Sequence, residues 1–393
     1  MELDKLKCLV RDGLFGAITL DTSIFEAQGL KLESGLLKRL EQFRDSSTKL
    51  IISEVVKEEV IAHLIEKTKV AKKDIEKSLK QAKDYWLVEA CEIENIKKKV
   101  IGGREAKEIA TERFNRFIES TSLEIIEAKN YLIVSDLIQK YFRAEPPFSE
   151  TNKKKNEFPD AIALISLEEW ANKNQTKVIV VTSDNDWKNF CKSSKRLVAN
   201  DDFGGALELF QLQDADDICR YLSEEYELGF LENVKEAILN ALEYKISEFD
   251  ICIDAEASYR YEEEITDLEV DGFEFKFLES PNIIFRPVNF DGDSLTVESK
   301  LSVDVKVNCS FLFLVYDSID KDDVPIGTNT ANTQGNLEVD VLITFVGDLN
   351  KVGAEVEVDD VEVEIKKPAS IDLGYVEPDF GDADYDYWET AEN

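Results

Sequence analysis

Histidine is nearly missing from this chain of 393 residues, since His63 is the only one. Two-histidine acid–base sites, histidine–aspartate metal sites and HExxH zinc proteases are therefore excluded. His63 lies in the amphipathic stretch EVVKEEVIAHLIEK, where a packed or surface histidine on a helix is the simpler interpretation. Enzyme chemistry in this protein would therefore depend on carboxylates.

Paired cysteines and long apolar runs are also lacking. The six cysteines are widely spaced and form no CxxC pair, which is typical of reduced thiols rather than of a zinc site. No apolar run approaches the roughly 18 residues of a membrane span, and the first residues, MELDKLKCLVRD, do not resemble a signal peptide. We therefore expect a cytoplasmic protein without a membrane segment.

Basic residues are scarce in the second half only. Of 82 acidic and 47 basic side chains, residues 1–213 hold 36 and 35, which leaves 46 acidic and 12 basic side chains for residues 214–393. This asymmetry indicates two modules with different partners. The second module should attract a basic protein or a basic part of this chain. Alternatively, its charge only keeps the protein soluble.

Short apolar strands alternate with helical segments in the first half. The clearest strands open the stretches 17–27, 49–56 and 177–187; they end at Asp21, at Glu54 and just before the acids of the third stretch, and segments with helical spacing of apolar residues follow. A largely helical segment, about residues 57–145, separates the second strand from the later ones. This alternation predicts an α/β fold with a parallel sheet.

The second half changes to a different pattern. Residues 214–249 show helical spacing and are interpreted as a connector. Residues 250–370 alternate with a period of two, which predicts six or more strands in an antiparallel sandwich or barrel. The acidic and aromatic residues 371–393 are predicted to form a flexible tail.

Four carboxylates lie where these elements begin or end. Asp21, Glu54 and Asp184 follow apolar strands, and Asp160 opens a helix. The carboxyl ends of parallel strands meet at one edge of a sheet, where such folds place their sites. Carboxylates bind Mg²⁺ or Mn²⁺, which make a bound water easier to deprotonate for attack on phosphorus. Each acid alone could be an ordinary turn or helix-start residue, so the hypothesis depends on all four together.

The order of these motifs resembles that of PIN-domain nucleases. LDTS, IISEVV, EFPDAIA and VVTSDNDW occur in the order of that family, and the PPF element at residues 146–148 is similar to longer bacterial PIN-like proteins with a helical insertion. The resemblance covers about residues 15–212. It implies a Rossmann-like PIN domain over residues 1–213 and Mg²⁺- or Mn²⁺-dependent cleavage of a phosphodiester, usually in RNA.

The resemblance also suggests roles for particular residues. It implies that the four acids are both catalytic and metal-binding, with Asp186 either a fifth ligand or a turn residue. Trp187 is a possible substrate contact, although packing explains it equally well. The candidates for binding substrate or metal-bound water are Thr22, Ser23, Ser183, Arg143, Lys153, Lys154 and Lys155. A solvated loop is the alternative for the three lysines.

Three functions agree with this pattern. The first is an endoribonuclease, acting as a regulated toxin or an anti-phage defence effector. The second is a DNA or structure-specific nuclease with the same chemistry, because no motif reports recognition of the ribose 2′-hydroxyl. The third is an inactive PIN-like scaffold whose acidic module binds a basic partner. Association into homo-oligomers is compatible with all three.

Overall fold

The computed structural model divides the chain into two compact units, Met1–Leu212 and Gln213–Asn393. Within the described residues, no helix is both long enough and apolar enough to span a membrane. The structure describes residues 3–148, 157–249, 251–278, 283–319, 321–349, 356–364 and 369–380.

The first unit is built on a five-stranded parallel sheet with the strand order β3-β2-β1-β4-β5. The central strands are buried along almost their whole length, as is usual for parallel strands covered on both faces. The predicted α/β fold with a parallel sheet is therefore confirmed. The strands are β1 (Phe15–Leu20), β2 (Lys49–Ser53), β3 (Glu124–Ile126), β4 (Lys177–Val181) and β5 (Leu197–Asn200).

Helices connect these strands, and the largely helical segment between β2 and β4 also contains β3. At three residues, β3 is too short to show a period of two, so the sequence pattern did not reveal it. The helices of this unit are α1 (Leu3–Arg11), α2 (Thr22–Ala27), α3 (Gly35–Lys38), α4 (Glu54–Tyr85), α5 (Ala90–Val100), α6 (Ala106–Thr121), α7 (Ala128–Tyr131), α8 (Val134–Arg143), α9 (Phe158–Lys173), α10 (Asn185–Ser193) and α11 (Phe203–Glu208).

The second unit contains the antiparallel, β-rich fold that the period-two pattern predicts. One sheet has the order β11-β10-β9-β7 with β8 paired to β9, and β6 pairs with β12 in parallel. The helices are α12 (Gln213–Glu227) and α13 (Glu232–Lys245). The strands are β6 (Ile251–Ala257), β7 (Arg260–Lys276), β8 (Arg286–Phe290), β9 (Ser294–Asp317), β10 (Asp322–Gly347), β11 (Val356–Glu364) and β12 (Ala369–Val376).

The two faces of the large antiparallel sheet differ in polarity. Along β9, Val303, Val305 and Val307 are fully buried, whereas the alternating Asp304 and Lys306 are exposed. The buried face shares one apolar core with α12 and α13, the segment interpreted from the sequence as a connector. The opposite face is solvated and carries many of the acidic side chains of this unit.

Candidate active site

The register of the parallel sheet brings the ends of β1 and β4 together. Leu20 pairs with Val181, so Asp21 and Thr182 leave adjacent strands at the same edge. The Asp21 backbone N–H donates to the Val181 carbonyl oxygen at 3.0 Å. Asp21 Oδ2 accepts hydrogen bonds from Ser23 Oγ at 2.6 Å and from Thr182 Oγ1 at 3.0 Å. These contacts fix the orientation of a carboxylate that is only 6% exposed.

Thr182 also connects Asp21 to Asp184. The Asp184 backbone N–H donates to Thr182 Oγ1 at 3.0 Å, and Asp184 is the N-cap residue of α10. Its Oδ1 accepts from the backbone N–H groups of Asp186 at 2.6 Å and Trp187 at 3.1 Å. In the TSD sequence the linking hydroxyl thus belongs to Thr182, which the sequence analysis did not select, whereas the predicted Ser183 is exposed.

Asp160 is tied to the same helix by a side-chain contact. It lies in the first turn of α9 directly after Pro159, whose fixed φ suits that position. Asp160 Oδ1 accepts from the indole Nε1–H of Trp187 at 2.8 Å. Trp187 is 1% exposed, so packing and support of Asp160 account for this side chain. Three predicted aspartates are thereby joined through Thr182 and Trp187.

Burial and mutual repulsion act on the protonation of these carboxylates. Burial raises the pKa of Asp160 to about 6; the indole hydrogen bond of Trp187 opposes this rise, and the charges of Asp21, Asp184 and Glu59 add to it. Burial likewise raises the pKa of Asp21, where hydrogen bonds from Ser23 and Thr182 oppose the rise and the charge of Asp184 adds to it. The negative charges therefore act on one another, and a bound cation would relieve their repulsion.

The two glutamates at the start of α4 have different surroundings. Glu54 Oε1 accepts a hydrogen bond from the backbone N–H of Ala128, at the start of α7, at 2.9 Å. Glu59 Oε2 accepts from Thr22 Oγ1 at 2.6 Å, and its charge raises the pKa of Asp160. Glu59 is therefore an acid that the sequence analysis missed. Its position directly before the buried Val60 is a signal that it lies near the core side of α4.

The remaining predicted residues are distributed unequally around this site. Burial raises the pKa of Asp186, and the charges of Asp184 and Glu157 add to the effect, which places Asp186 beside the other acids. Arg143 ends α8, is 66% exposed in its side chain and pairs with Glu145 at 3.6 Å. This ion pair involves none of the aspartates of the site. Lys153, Lys154 and Lys155 lie outside the described residues.

The donors agree in chemical type with a hard divalent cation, because all are carboxylate or hydroxyl oxygens. As they stand, no three Asp, Glu, His or Cys residues in the described part of the chain form a group that could hold a metal ion. These residues therefore suit a divalent cation in two respects: their donor atoms are oxygens, and the negative charges of the acids repel one another until a cation binds. Cation binding would require their side chains to approach one another.

One comparison with known proteins supports this fold. Residues 18–187 match the family model of the PIN domain. No match was found among curated proteins or among solved structures. The matched range runs from β1 to the start of α10 and contains Asp21, Glu59, Asp160 and Asp184. The PIN domain is, in general, a nuclease fold. Residues 18–187 of the first unit are therefore similar to the PIN domain.

Proposed function

We propose that the first unit is a divalent-cation-dependent nuclease whose substrate is RNA. The observation that carries the proposal is the hydrogen-bonded network from Asp21 through Thr182 and Asp184 to Trp187 and Asp160. A fold needs no such arrangement of partly buried acids for stability, because their repulsion is unfavourable without a cation. Clusters with perturbed pKa values of this kind are typical of functional sites.

Each residue of the network has a definite task in this proposal. Asp21, Asp160, Asp184 and Glu59 would hold Mg²⁺ or Mn²⁺. When bound, such an ion offsets charge on the phosphate and makes a water easier to deprotonate. Ser23 and Thr182 donate to Asp21 and keep its oxygens oriented, while Trp187 holds Asp160. Asp186 supplies further negative charge next to Asp184.

The proposal is tested by cleavage of labelled RNA and DNA of the same sequence, side by side. The full chain should cut RNA with Mn²⁺ or Mg²⁺, stop in excess chelator and recover when metal is restored. Asp160→Asn removes one charge with almost no change in shape, so it should abolish cleavage without lowering the melting temperature. Cleavage in excess chelator, or full activity of Asp160→Asn, would contradict the proposal. Cleavage of DNA alone would favour the second hypothesis, a deoxyribonuclease.

The acidic second unit suggests how such a nuclease could be regulated. On β7, Glu262, Glu264, Glu269 and Glu274 are exposed, and the last three pair with the polar residues Ser310, Lys306 and Ser302 of β9. We infer that this face binds a basic protein partner, as a regulated toxin or defence effector would require. A basic peptide should bind the full chain with an affinity that falls as salt rises. The Glu262→Gln/Glu264→Gln/Glu269→Gln variant should bind it more weakly, and unchanged affinity would contradict this role.

A further inference from the structure

The distal part of α4 and α5 projects from the core of the first unit. The 32 residues of α4 give it a length of about 48 Å, but its buried residues are Val56, Val60 and Leu64 near its start. All residues of α5 are at least partly exposed. We call residues 69–100 the α4–α5 hairpin. Neither domain stability nor the proposed metal site explains why so much of this helix pair is exposed.

Lysines line one face of this hairpin. Residues 69–100 contain nine lysines and six acidic residues, although the whole chain has a net charge of −35. At about 100° per residue, the six lysines among residues 69–85 of α4 fall within an arc of about 140°, which also contains Glu76 and Asp84. In the described structure, no ion pair neutralises the five lysines that we call the lysine stripe. These are Lys72, Lys73, Lys77, Lys80 and Lys83.

One edge of the lysine stripe lies on the same side of α4 as Glu59. Glu59 and Lys77 are separated by 18 residues, about five complete turns, so their side chains leave the helix in nearly the same direction. Lys72 is about 20 Å beyond Glu59 along the axis. A polymer with one phosphate near the acids could therefore extend along this face and meet further positive charges.

Exposed aromatic rings stand at the far end of the stripe. Tyr85 ends α4, and Trp86 follows it as the C-cap residue; they are 81% and 82% exposed. Trp170 and Trp187 are buried, so exposure is not a general feature of tryptophan in this fold. Positive grooves with stacking aromatics are typical of single-stranded nucleic-acid binding, whereas protein interfaces are depleted in lysine.

We propose that the α4–α5 hairpin binds single-stranded nucleic acid and guides it to the acidic site. The lysine stripe contacts phosphates, and Trp86 and Tyr85 stack on bases about 40 Å from Glu59. At about 3.4 Å per stacked nucleotide, this distance corresponds to about 12 nucleotides. The inference rests on the proposed nuclease in one respect, namely that the bound strand leads to a site that cleaves it.

The first test measures binding without cleavage. The full chain is titrated in excess chelator with fluorescent 24-nucleotide RNA and with DNA of the same sequence. Lys73→Gln/Lys77→Gln/Lys80→Gln should weaken binding roughly tenfold at low salt and reduce the log–log salt slope by about 2, at about 0.7 per phosphate contact. The matched control is Lys5→Gln/Lys38→Gln/Lys195→Gln, which makes the same charge change at exposed lysines elsewhere. Equal dissociation constants for the two triple variants would overturn the proposal.

The second test separates stacking from charge. Trp86→Ala should weaken binding about fivefold or more, while Trp86→Phe should retain most of the affinity, because a phenyl ring still offers a face to a base. The same loss in both variants, or in neither, would overturn the role of Trp86. If the stripe variant instead changes sedimentation of the protein without nucleic acid, the face contacts a second copy and the proposal fails.

The third test uses substrate length. With metal present, the stripe variant should cleave the 24-nucleotide strand more slowly than wild type and a four-nucleotide strand at the wild-type rate, because the short strand ends before Lys72. Equal slowing on both lengths would overturn guidance by the hairpin. If no chain cleaves but the binding differences persist, the proposed nuclease fails and the binding hairpin stands. If cleavage is normal but the two triple variants bind equally well, the proposed nuclease stands and the binding hairpin fails.

Discussion

The two units of this protein use acidic residues in opposite ways. The first unit has nearly balanced charge, yet it collects Asp21, Asp160 and Asp184 at one edge of its sheet, where burial raises the pKa of Asp21 and of Asp160. The second unit has 46 acidic side chains and spreads many of them over the exposed face of an antiparallel sheet. The number of carboxylates thus says little about where a site lies.

Individual carboxylates of the two units also differ in how their surroundings shift the pKa. In the second unit, burial of Asp291 is outweighed by backbone N–H groups of Ser294 and Asp293, which lower its pKa. A hydrogen bond and ion pair with Lys276 lower the pKa of Glu338. These acids are stabilised in the charged form. In the first unit, burial and the charges of neighbouring acids keep the pKa of Asp21 and of Asp160 raised despite their hydrogen bonds, and a cation can stabilise such an arrangement.

The largest expected effect is the loss of cleavage when one acid of the candidate site is removed, compared with removal of one exposed acid of the second unit. Asp21→Asn should lower cleavage at least ~100-fold, because loss of a ligand should exceed the 10–100-fold cost of losing a ligand's supporting contact. The matched control, Glu264→Gln in the second unit, removes an exposed charge and should leave the rate unchanged. Steady-state cleavage by the two full-length variants is the measurement. Comparable loss in both would remove the distinction between the units.

The next effect separates Glu54 from Glu59, both of which lie in the first two turns of α4. Glu59→Gln should reduce cleavage roughly 100-fold, since its carboxylate is proposed to hold the cation, contacts Thr22 and acts on Asp160. Glu54→Gln should have a smaller effect on the rate, because Glu54 accepts the Ala128 N–H and an amide oxygen can still accept it. The melting temperatures of both variants serve as the control for folding. A larger loss in Glu54→Gln would return Glu54 to the metal site, as the sequence resemblance implies.

A moderate effect on stability should follow from the raised pKa of Asp160. Its ordinary pKa is 3.8 and its folded value is about 6, so the folded state binds this proton more tightly. The resulting stabilisation is fully present below about pH 3.8 and is lost as pH rises through about 6. Allowing for partial exposure, the loss is about 1–2 kcal/mol.

Denaturant unfolding of wild type and Asp160→Asn across this pH range measures that loss. The free energy of unfolding of wild type should fall relative to that of Asp160→Asn as pH rises. Saturating Mn²⁺ should remove the trend, because the metal favours the ionised carboxylate. Parallel curves for the two proteins without metal would show that Asp160 titrates as in an unfolded chain.

The smallest effect is expected at the exposed ion pair between Lys276 and Glu338. Both side chains are well solvated, and exposed pairs of this kind contribute little to stability. Glu338→Gln should therefore leave the melting temperature and the cleavage rate within experimental error. A clear drop in the melting temperature would show that the polar face of this sheet is more tightly organised than its solvent exposure indicates.

Local signals predicted much of this architecture. Apolar runs followed by Asp21 and Asp184 predicted parallel strands, because continuous burial leaves few other interpretations. Period-two alternation predicted the antiparallel sheet. The strand β3 was missed because a three-residue strand has no visible period. The prediction of a flexible tail from residue 371 was wrong for residues 371–376, which belong to β12; this strand pairs in parallel with β6, a strand far away in the sequence.

The candidate site was only partly readable for a similar reason. Asp160 and Asp184 were selected from their positions at the start of a helix and the end of a strand, but the contacts that join them pass through Thr182 and Trp187. Glu59 has no motif of its own and becomes a candidate only because α4 brings it to Thr22. Such contacts depend on packing between elements, which spacing along the chain does not encode directly.

By itself, the sequence determined the two-part organisation, the alternation that specifies each sheet and the dependence of any chemistry on carboxylates. Hydrophobic periodicity and composition act locally or over whole segments, so they can be read without coordinates. Tertiary structure decided which acids face one another, which hydroxyl links them and which lysines remain without a partner. Burial and electrostatic repulsion depend on distances between residues remote in the chain, and only the folded arrangement of helices around the sheet sets those distances.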